Sequence, residues 1–209
     1  MNSLNQAATT IPAPPPIVRE RGLNGAQWGM LSFLVSEVAF FSTLIVTYVT
    51  FLGADIVGPT PGEALSLRLV IGMTICLMSS SVAIQFADHA LKHDKQWKFC
   101  LWWTTTIALG IAFLIGTAYE WHELIVEHHL TISRNLFGTT YYTLVGFHGL
   151  HVTAGVIAML IVFRLVLRRE VTGKNRTGVE LVGWYWHFVD AVWIVVVLVV
   201  YVAGTSRSL

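Results

Sequence analysis

Charge is scarce in this chain. Of 209 residues only 12% are Asp, Glu, Lys or Arg, against about a quarter in a typical soluble domain. Thirteen basic and twelve acidic residues leave a formal net charge of +1, so no basic surface points to nucleic acid. Cysteine is equally sparse: Cys76 and Cys100 both lie in or beside apolar stretches. Two isolated thiols make neither a disulfide framework nor a metal motif, and they are read as small hydrophobes. No cleavable signal peptide is visible, because the first 24 residues are polar and proline-rich, with Pro12, Pro14, Pro15 and Pro16 close together. Such a segment favours extended, solvated backbone. It is expected to be a tail outside the membrane, or alternatively a docking segment for a partner. There is no sequence repeat, no Gly-rich phosphate loop, no dinucleotide fingerprint and no nucleophile–base–acid set. The chain alone does not look like a catalyst.

Hydrophobic residues make up 55% of the sequence, and its mean hydropathy is +0.64. Five apolar runs stand out, at about 28–52, 65–87, 99–121, 138–163 and 180–203. Each is long enough at about 1.5 Å per residue to cross roughly 30 Å of hydrocarbon. Lipid offers backbone N–H and C=O groups no partner, which leaves helix as the economical choice. The expected fold is therefore all-α: a polytopic membrane protein, a bundle of five transmembrane helices over residues 25–209 preceded by the tail 1–24. The connections are polar. Gly58-Pro59-Thr60-Pro61-Gly62 reads as a turn, while Lys92-His93-Asp94-Lys95-Gln96 and Arg168-Arg169-Glu170 read as charged loops.

Orientation follows from the basic residues. With the N-terminus in the cytoplasm, ten of the thirteen fall inside, and only Arg68, Arg134 and Arg207 fall outside. The C-terminus is then external. Trp28, Trp97, Trp102 and Trp121 fall near the expected interfaces, where amphipathic rings are favoured. Asn175-Arg176-Thr177 matches a glycosylation sequon but lies on the cytoplasmic side of this topology, so it is set aside.

Ionisable groups at membrane depth are costly and point to function by default. Here they are Glu37, His148, His151, His187 and Asp190, with Glu120 and Glu123 near the outer end of the third run. At about 1.5 Å per residue Glu37 lies roughly 14 Å in, and His148 and Asp190 about 15 Å. His151 and His187 fall at a similar level, roughly 10 Å from the inner side. His148 and His151 are three apart, as are His187 and Asp190, so each pair shares a helix face. Gly146, Gly149 and Gly155 flank the first pair and are expected to admit a neighbouring helix closely. Phe40 and Phe41 make the surroundings of Glu37 apolar, which favours a neutral carboxyl unless a histidine supplies charge. Each group has a plainer reading, an interhelical hydrogen bond. Metal or haem ligation by the histidines is a sharper one, although no cysteine or carboxylate cluster completes a site. Glu37 is the stronger functional candidate, for a proton-linked or lipid- or gas-pathway role. A proton-coupled transporter with Glu37 as carrier is disfavoured, since five helices without a repeat suit alternating access poorly.

Several ordered stretches carry a resemblance. Gly29-Met30, Ser36-Glu37-Val38 and Phe40-Phe41 resemble the first shared helix of subunit III of the haem-copper respiratory oxidases. Pro59-Thr60-Pro61 fits the following loop. Ala87-Asp88-His89 is similar to the family's Ala-His-His but departs at position 88, and Glu120-Trp121-His122-Glu123 is similar to its outer acidic cluster. The longest matches are Gly146-Phe147-His148-Gly149-Leu150-His151-Val152 and the run from Trp184 to Trp193 that contains Trp186-His187-Phe188-Val189-Asp190. Together they span roughly residues 26–204.

The resemblance implies a five-helix bacterial form that lacks the first two helices of the seven-helix mitochondrial version. It implies a plasma-membrane location and a non-catalytic role, with no cofactor on this chain. Haem and copper reside on partner subunits: subunit I reduces oxygen while pumping protons, and subunit II takes electrons from cytochrome c or is modified for quinol. A small subunit IV is a further partner. Subunit III is expected to bind structural phospholipid and to support oxygen access, proton uptake and the stability of subunit I. The family's mid-membrane glutamate corresponds to Glu37, and its paired histidines to His148 and His151. Arg164 and Arg176, at inner helix ends, are candidate headgroup ligands, with a solvated inner face as the plainer account. Trp184-Tyr185-Trp186 looks more like the cytochrome c branch than the quinol branch. Other readings are a subunit of a quinol oxidase, a relative beside a nitric oxide reductase, or a free-standing di-haem membrane cytochrome.

Overall fold

Each apolar run forms a helix, and the first four helices are longer than their runs because further turns extend them beyond the apolar stretch. In the computed structural model the described residues are 22–53, 67–127, 129–132, 136–168, 170–171 and 176–203. The proline cluster of the tail, the Gly58–Gly62 turn, Arg134, Arg169, Lys174 and Arg207 lie outside them. The helices are α1 (Gly25–Phe51), α2 (Leu67–Lys92), α3 (Gln96–Val126), α4 (Leu136–Leu167) and α5 (Thr177–Val197), the last continuing as a π-helical turn over Leu198–Ala203. All five are long and apolar enough to cross a membrane, and the described residues contain no strand. This chain is a multi-pass membrane protein.

Local chemistry sets the ends. Asn24 caps α1 by accepting from the Gln27 amide at 2.8 Å, and Gln27 Oε1 accepts from the Asn24 amide at 2.9 Å. This reciprocal box satisfies two otherwise orphaned donors. Gly53, at φ 81°, follows the end of α1 in the left-handed region that glycine adopts without penalty. Between α2 and α3 the expected five-residue loop is shorter. Asp94 takes φ 54°, Lys95 N–H donates to Ala90 O at 3.0 Å, and Asp94 N–H donates to Leu91 O at 3.1 Å. This crossed pair closes the helix, and a short polar side chain tolerates the left-handed position.

Packing does not follow chain order. α2 and α3 form an antiparallel hairpin, and α5 lies against α1, α2 and α4. α1 packs on α4 and α5 rather than on its sequence neighbour α2. Only Phe41 and Tyr48 of α1 are buried. Its Thr43, Thr47 and Thr50 hydroxyls donate to carbonyls one turn back, at 2.8–3.0 Å. Those polar groups are thus satisfied within the helix, as an apolar medium demands. The core lies between α2, α3, α4 and α5, on stripes at three- and four-residue spacing. Trp103, Gly110, Phe113, Thr117 and Glu120 face inward on α3; Tyr141, His148, Val152 and Gly155 on α4; Trp186, Asp190 and Trp193 on α5. Outward residues such as Val35, Ile75, Ile115 and Leu150 are apolar and exposed, as a lipid-facing surface requires.

The glycine expectation needs correction. A Cβ at Gly155 would sit 2.8 Å from the Trp186 ring, and one at Gly146 would sit 3.3 Å from Trp121. Gly149 has nothing within 4 Å. The close approach is therefore of helix to indole, and one of the three glycines takes no part. Gly110 serves the same purpose from α3, at 2.8 Å from the Trp186 ring. One large ring thus fills the space left by two absent side chains, which maximises contact in a dense interior.

Candidate functional site

The polar residues at membrane depth resolve into four groups. The first joins α1 to α4. His151 Nε2 lies 3.1 Å from Glu37 Oε2, with side-chain exposures of 13% and 17%. His151 Nδ1 is 2.7 Å from the Phe147 carbonyl. A carbonyl only accepts, so Nδ1 carries a hydrogen, and the tautomer follows from this partner. In the neutral ring Nε2 is then an acceptor. The contact with Glu37 accordingly holds one proton, either as carboxyl to imidazole or as imidazolium to carboxylate. The Phe41 ring stands 4.9 Å from the imidazole and Phe40 6.1 Å, forming an apolar wall. Tyr185 Oη donates to the His151 carbonyl at 2.9 Å, tying α5 to the same point.

The second group joins α2 to α5. His187 Nδ1 lies 2.9 Å from Ser81 Oγ, and the same hydroxyl donates to Asp190 Oδ2. The serine sits between the histidine and the carboxylate. In a nucleophilic triad the histidine occupies that central place, so this set does not activate a nucleophile. His187 also lines an open groove of about 580 Å³, with Gln27, Asp88, His89, Lys92, Glu180 and Trp184.

The third group centres on Glu120, whose tyrosine partners were not foreseen. Glu120 is buried at 2% exposure. Tyr201 Oη donates to its carboxylate at 3.0 and 3.1 Å, and Tyr141 Oη donates at 3.2 Å. Glu123 is only half-buried. The expected outer acidic cluster is therefore split, because Glu120 continues the inward stripe of α3 and Glu123 lies off it. Spacing from Thr106, Gly110 and Thr117 carries that signal. The π-helical turn that presents Tyr201 has none in the sequence.

The fourth is His148. The shared face expected for His148 and His151 divides: His148 enters the core, and His151 turns to α1. His148 is 0% exposed and neither ring nitrogen has a hydrogen-bond partner. Its ring stacks on Trp193 at 5.0 Å and meets the edges of Phe113 and Phe41 at 5.7 and 6.4 Å. Among the described residues no three His, Cys, Asp or Glu side chains come together as a metal site. The two candidate headgroup arginines differ. Arg176 Nε pairs with Glu180 at 2.7 Å, whereas Arg164 is exposed on the last turn of α4 with no ion-pair partner among the described residues.

Residues 18–205 match the family described as Cytochrome c oxidase subunit III. The chain belongs to this family. Among its curated relatives, Cytochrome c oxidase subunit 3 of Corynebacterium diphtheriae is 34% identical over 192 residues, covering 90% of this chain and 93% of the relative. That of Alkalihalophilus pseudofirmus is 33% identical over 178 residues, covering 85% and 86%. That of Anopheles gambiae is 32% identical over 188 residues, covering 87% of this chain and 70% of the insect protein. Family membership implies assembly with other oxidase subunits. The Glu37–His151 bridge and the Ser81-centred set are built from the two stretches with the longest resemblance to the family, together with residues of α1 and α2.

Proposed function

We propose that this chain is the non-catalytic third subunit of a proton-pumping terminal oxidase that receives electrons from cytochrome c. The family match over residues 18–205, which includes all five helices, carries this reading. Haem and copper belong to subunits I and II in this assignment, and the present chain contributes protein surface, lipid contacts and intramembrane polar groups. Its N-terminus lies in the cytoplasm and its C-terminus outside the plasma membrane. Glu37 and His151 form the exchangeable site of the subunit: the pair is half-shielded, retains one proton and lies at the α1–α4 seam. Arg164 is the better headgroup ligand of the two inner arginines, since a phosphate does not have to displace a carboxylate from it.

Gentle detergent extraction, identification of partners by mass spectrometry, and oxygen uptake assayed against cytochrome c and quinol test the assignment. Co-migration with a haem- and copper-bearing partner and activity on cytochrome c are expected. A haem absorbance from the isolated chain, or oxygen uptake driven by quinol alone, would overturn it in the first case and reassign the donor in the second.

A further inference from the structure

The chain has six tyrosines, and their phenols differ in what they meet. Tyr142 and Tyr185 donate to the carbonyls of Leu130 and His151, each at 2.9 Å. Tyr48 Oη is buried without a partner, and Tyr119 is exposed. Among the described residues only Tyr141 and Tyr201 donate to a carboxylate. Both bond to Glu120, at 3.0–3.2 Å, and their own oxygens are 3.3 Å apart. This difference is chemical. A phenol that gives up an electron must also shed its proton, and a carboxylate can take it where a backbone carbonyl only accepts a hydrogen bond. All three side chains are buried, so water is kept from them. Tyr201 stands on the π-helical turn Leu198–Ala203, a rare conformation that is frequent at functional sites.

A row of rings leads outward from this pair. Tyr141 meets Tyr142 edge to face at 5.3 Å, and Tyr142 meets Trp121 in the same way at 5.2 Å. Tyr142 and Gly146 line an open groove of about 270 Å³ with the apolar side chains of Ile132, Phe147 and Leu150, all three exposed. The Trp121 ring lies against Gly146 and is half-buried. Its Nε1 has no hydrogen-bond partner, an omission that calls for an account. An indole cation without a base at its N–H keeps its proton, stays strongly oxidising and takes an electron from the next ring.

We propose that Tyr141, Tyr201 and Glu120 form a redox-active site that takes up the oxidising equivalent of lipid-soluble one-electron oxidants, radicals of the class that partial reduction of oxygen leaves. An oxidant in the apolar groove removes one electron from Trp121. The indole cation recovers that electron, by way of Tyr142, from Tyr141 or Tyr201. The phenol's proton crosses its existing hydrogen bond to the Glu120 carboxylate. One electron and one proton thus leave the phenol, the oxidant is reduced by one electron, and Trp121 and Tyr142 end unchanged. A neutral tyrosyl radical remains beside a neutral carboxyl, shielded from water. Tyr142 passes the charge on because the Leu130 carbonyl offers its proton no base.

Flash photolysis of the purified full complex tests this, with an alkyl-bearing ruthenium tris-bipyridine and a cobalt(III) quencher as the source of oxidant. Electron paramagnetic resonance of samples frozen after the flash should show a persistent tyrosyl signal. The double variant Tyr141→Phe/Tyr201→Phe should lose that signal, tyrosines of other subunits being common to both samples and removed by difference. Glu120→Gln, whose amide still accepts a hydrogen bond but takes no proton, should lower it several-fold. A signal unchanged in either variant overturns the proposal. Should the variants fail to accumulate, mass spectrometry of the flashed native complex in aerated buffer decides. Oxidation at Tyr141 or Tyr201 above that at Tyr185, which is less deeply buried, supports the site; oxidation equal to or below that of Tyr185 overturns it.

Discussion

Glu37 and Glu120 are both carboxyl groups on transmembrane helices, yet the bundle treats them differently. Glu37 keeps 17% of its side chain exposed and meets one imidazole across the α1–α4 seam. Glu120 is 2% exposed and accepts from two phenols, Tyr141 and Tyr201. The first sits on a helix that contributes only two buried residues to the core, and the second on a stripe packed along its whole length. A carboxyl on a loose seam can exchange its partner or proton with little rearrangement, whereas one bonded by two rigid rings ties three helical segments together. The proposed exchange role therefore falls on the looser site, and the tighter one serves architecture and takes a proton only from its own phenols.

Substitutions separate these roles, the largest effect being at Glu120. Glu120→Leu strips Tyr141 and Tyr201 of the carboxylate they share and should destabilise the subunit by on the order of 3 kcal/mol, read as earlier thermal dissociation from its complex. Gly155→Ala drives a methyl into the Trp186 ring and should cost about 1–3 kcal/mol in the same assay. Ser81→Ala removes the hydroxyl between His187 and Asp190, with an expected loss of about 1 kcal/mol. Glu37→Gln should shift stability by no more than about 0.6 kcal/mol, the average of such bonds within membranes, because the amide still donates to His151. Its effect is chemical: a hydrophobic carbodiimide should modify Glu37 in the native protein, and Glu37→Gln should abolish the modification. Modification mainly at Glu120 would reverse the comparison. Arg176→Gln breaks only a half-exposed i,i+4 pair with Glu180 and should cost about 0.3–0.5 kcal/mol.

Individual residues show how far the sequence could be read. Glu37, His148, His151, His187 and Asp190 were all identifiable as intramembrane polar groups, since an ionisable side chain inside a long apolar run stands out. Their partners were not. A spacing of three puts two side chains on one face, but that face is broad enough for His148 to enter the core while His151 reaches α1. His187 and Asp190, at the same spacing, stay together only because Ser81 of α2 bonds both. Gly110 and Gly155 were equally visible, yet the ring that fills the space beside them belongs to Trp186, 76 and 31 residues away along the chain.

By itself the sequence determined that this protein crosses a membrane as five helices, because uninterrupted apolar runs leave backbone groups no other way to be satisfied in lipid. Its ordered motifs also determined the family. The tertiary structure alone decided that α1 packs on α4 and α5, that Glu37 pairs with His151, and that Glu120 meets the hydroxyls of Tyr141 and Tyr201. Those outcomes depend on how each helix is rotated and which neighbour it meets. Within an apolar medium, rotation is set by close packing of rings against glycines and by polar groups seeking partners on other helices. Such contacts join residues distant in sequence, and no local periodicity encodes them.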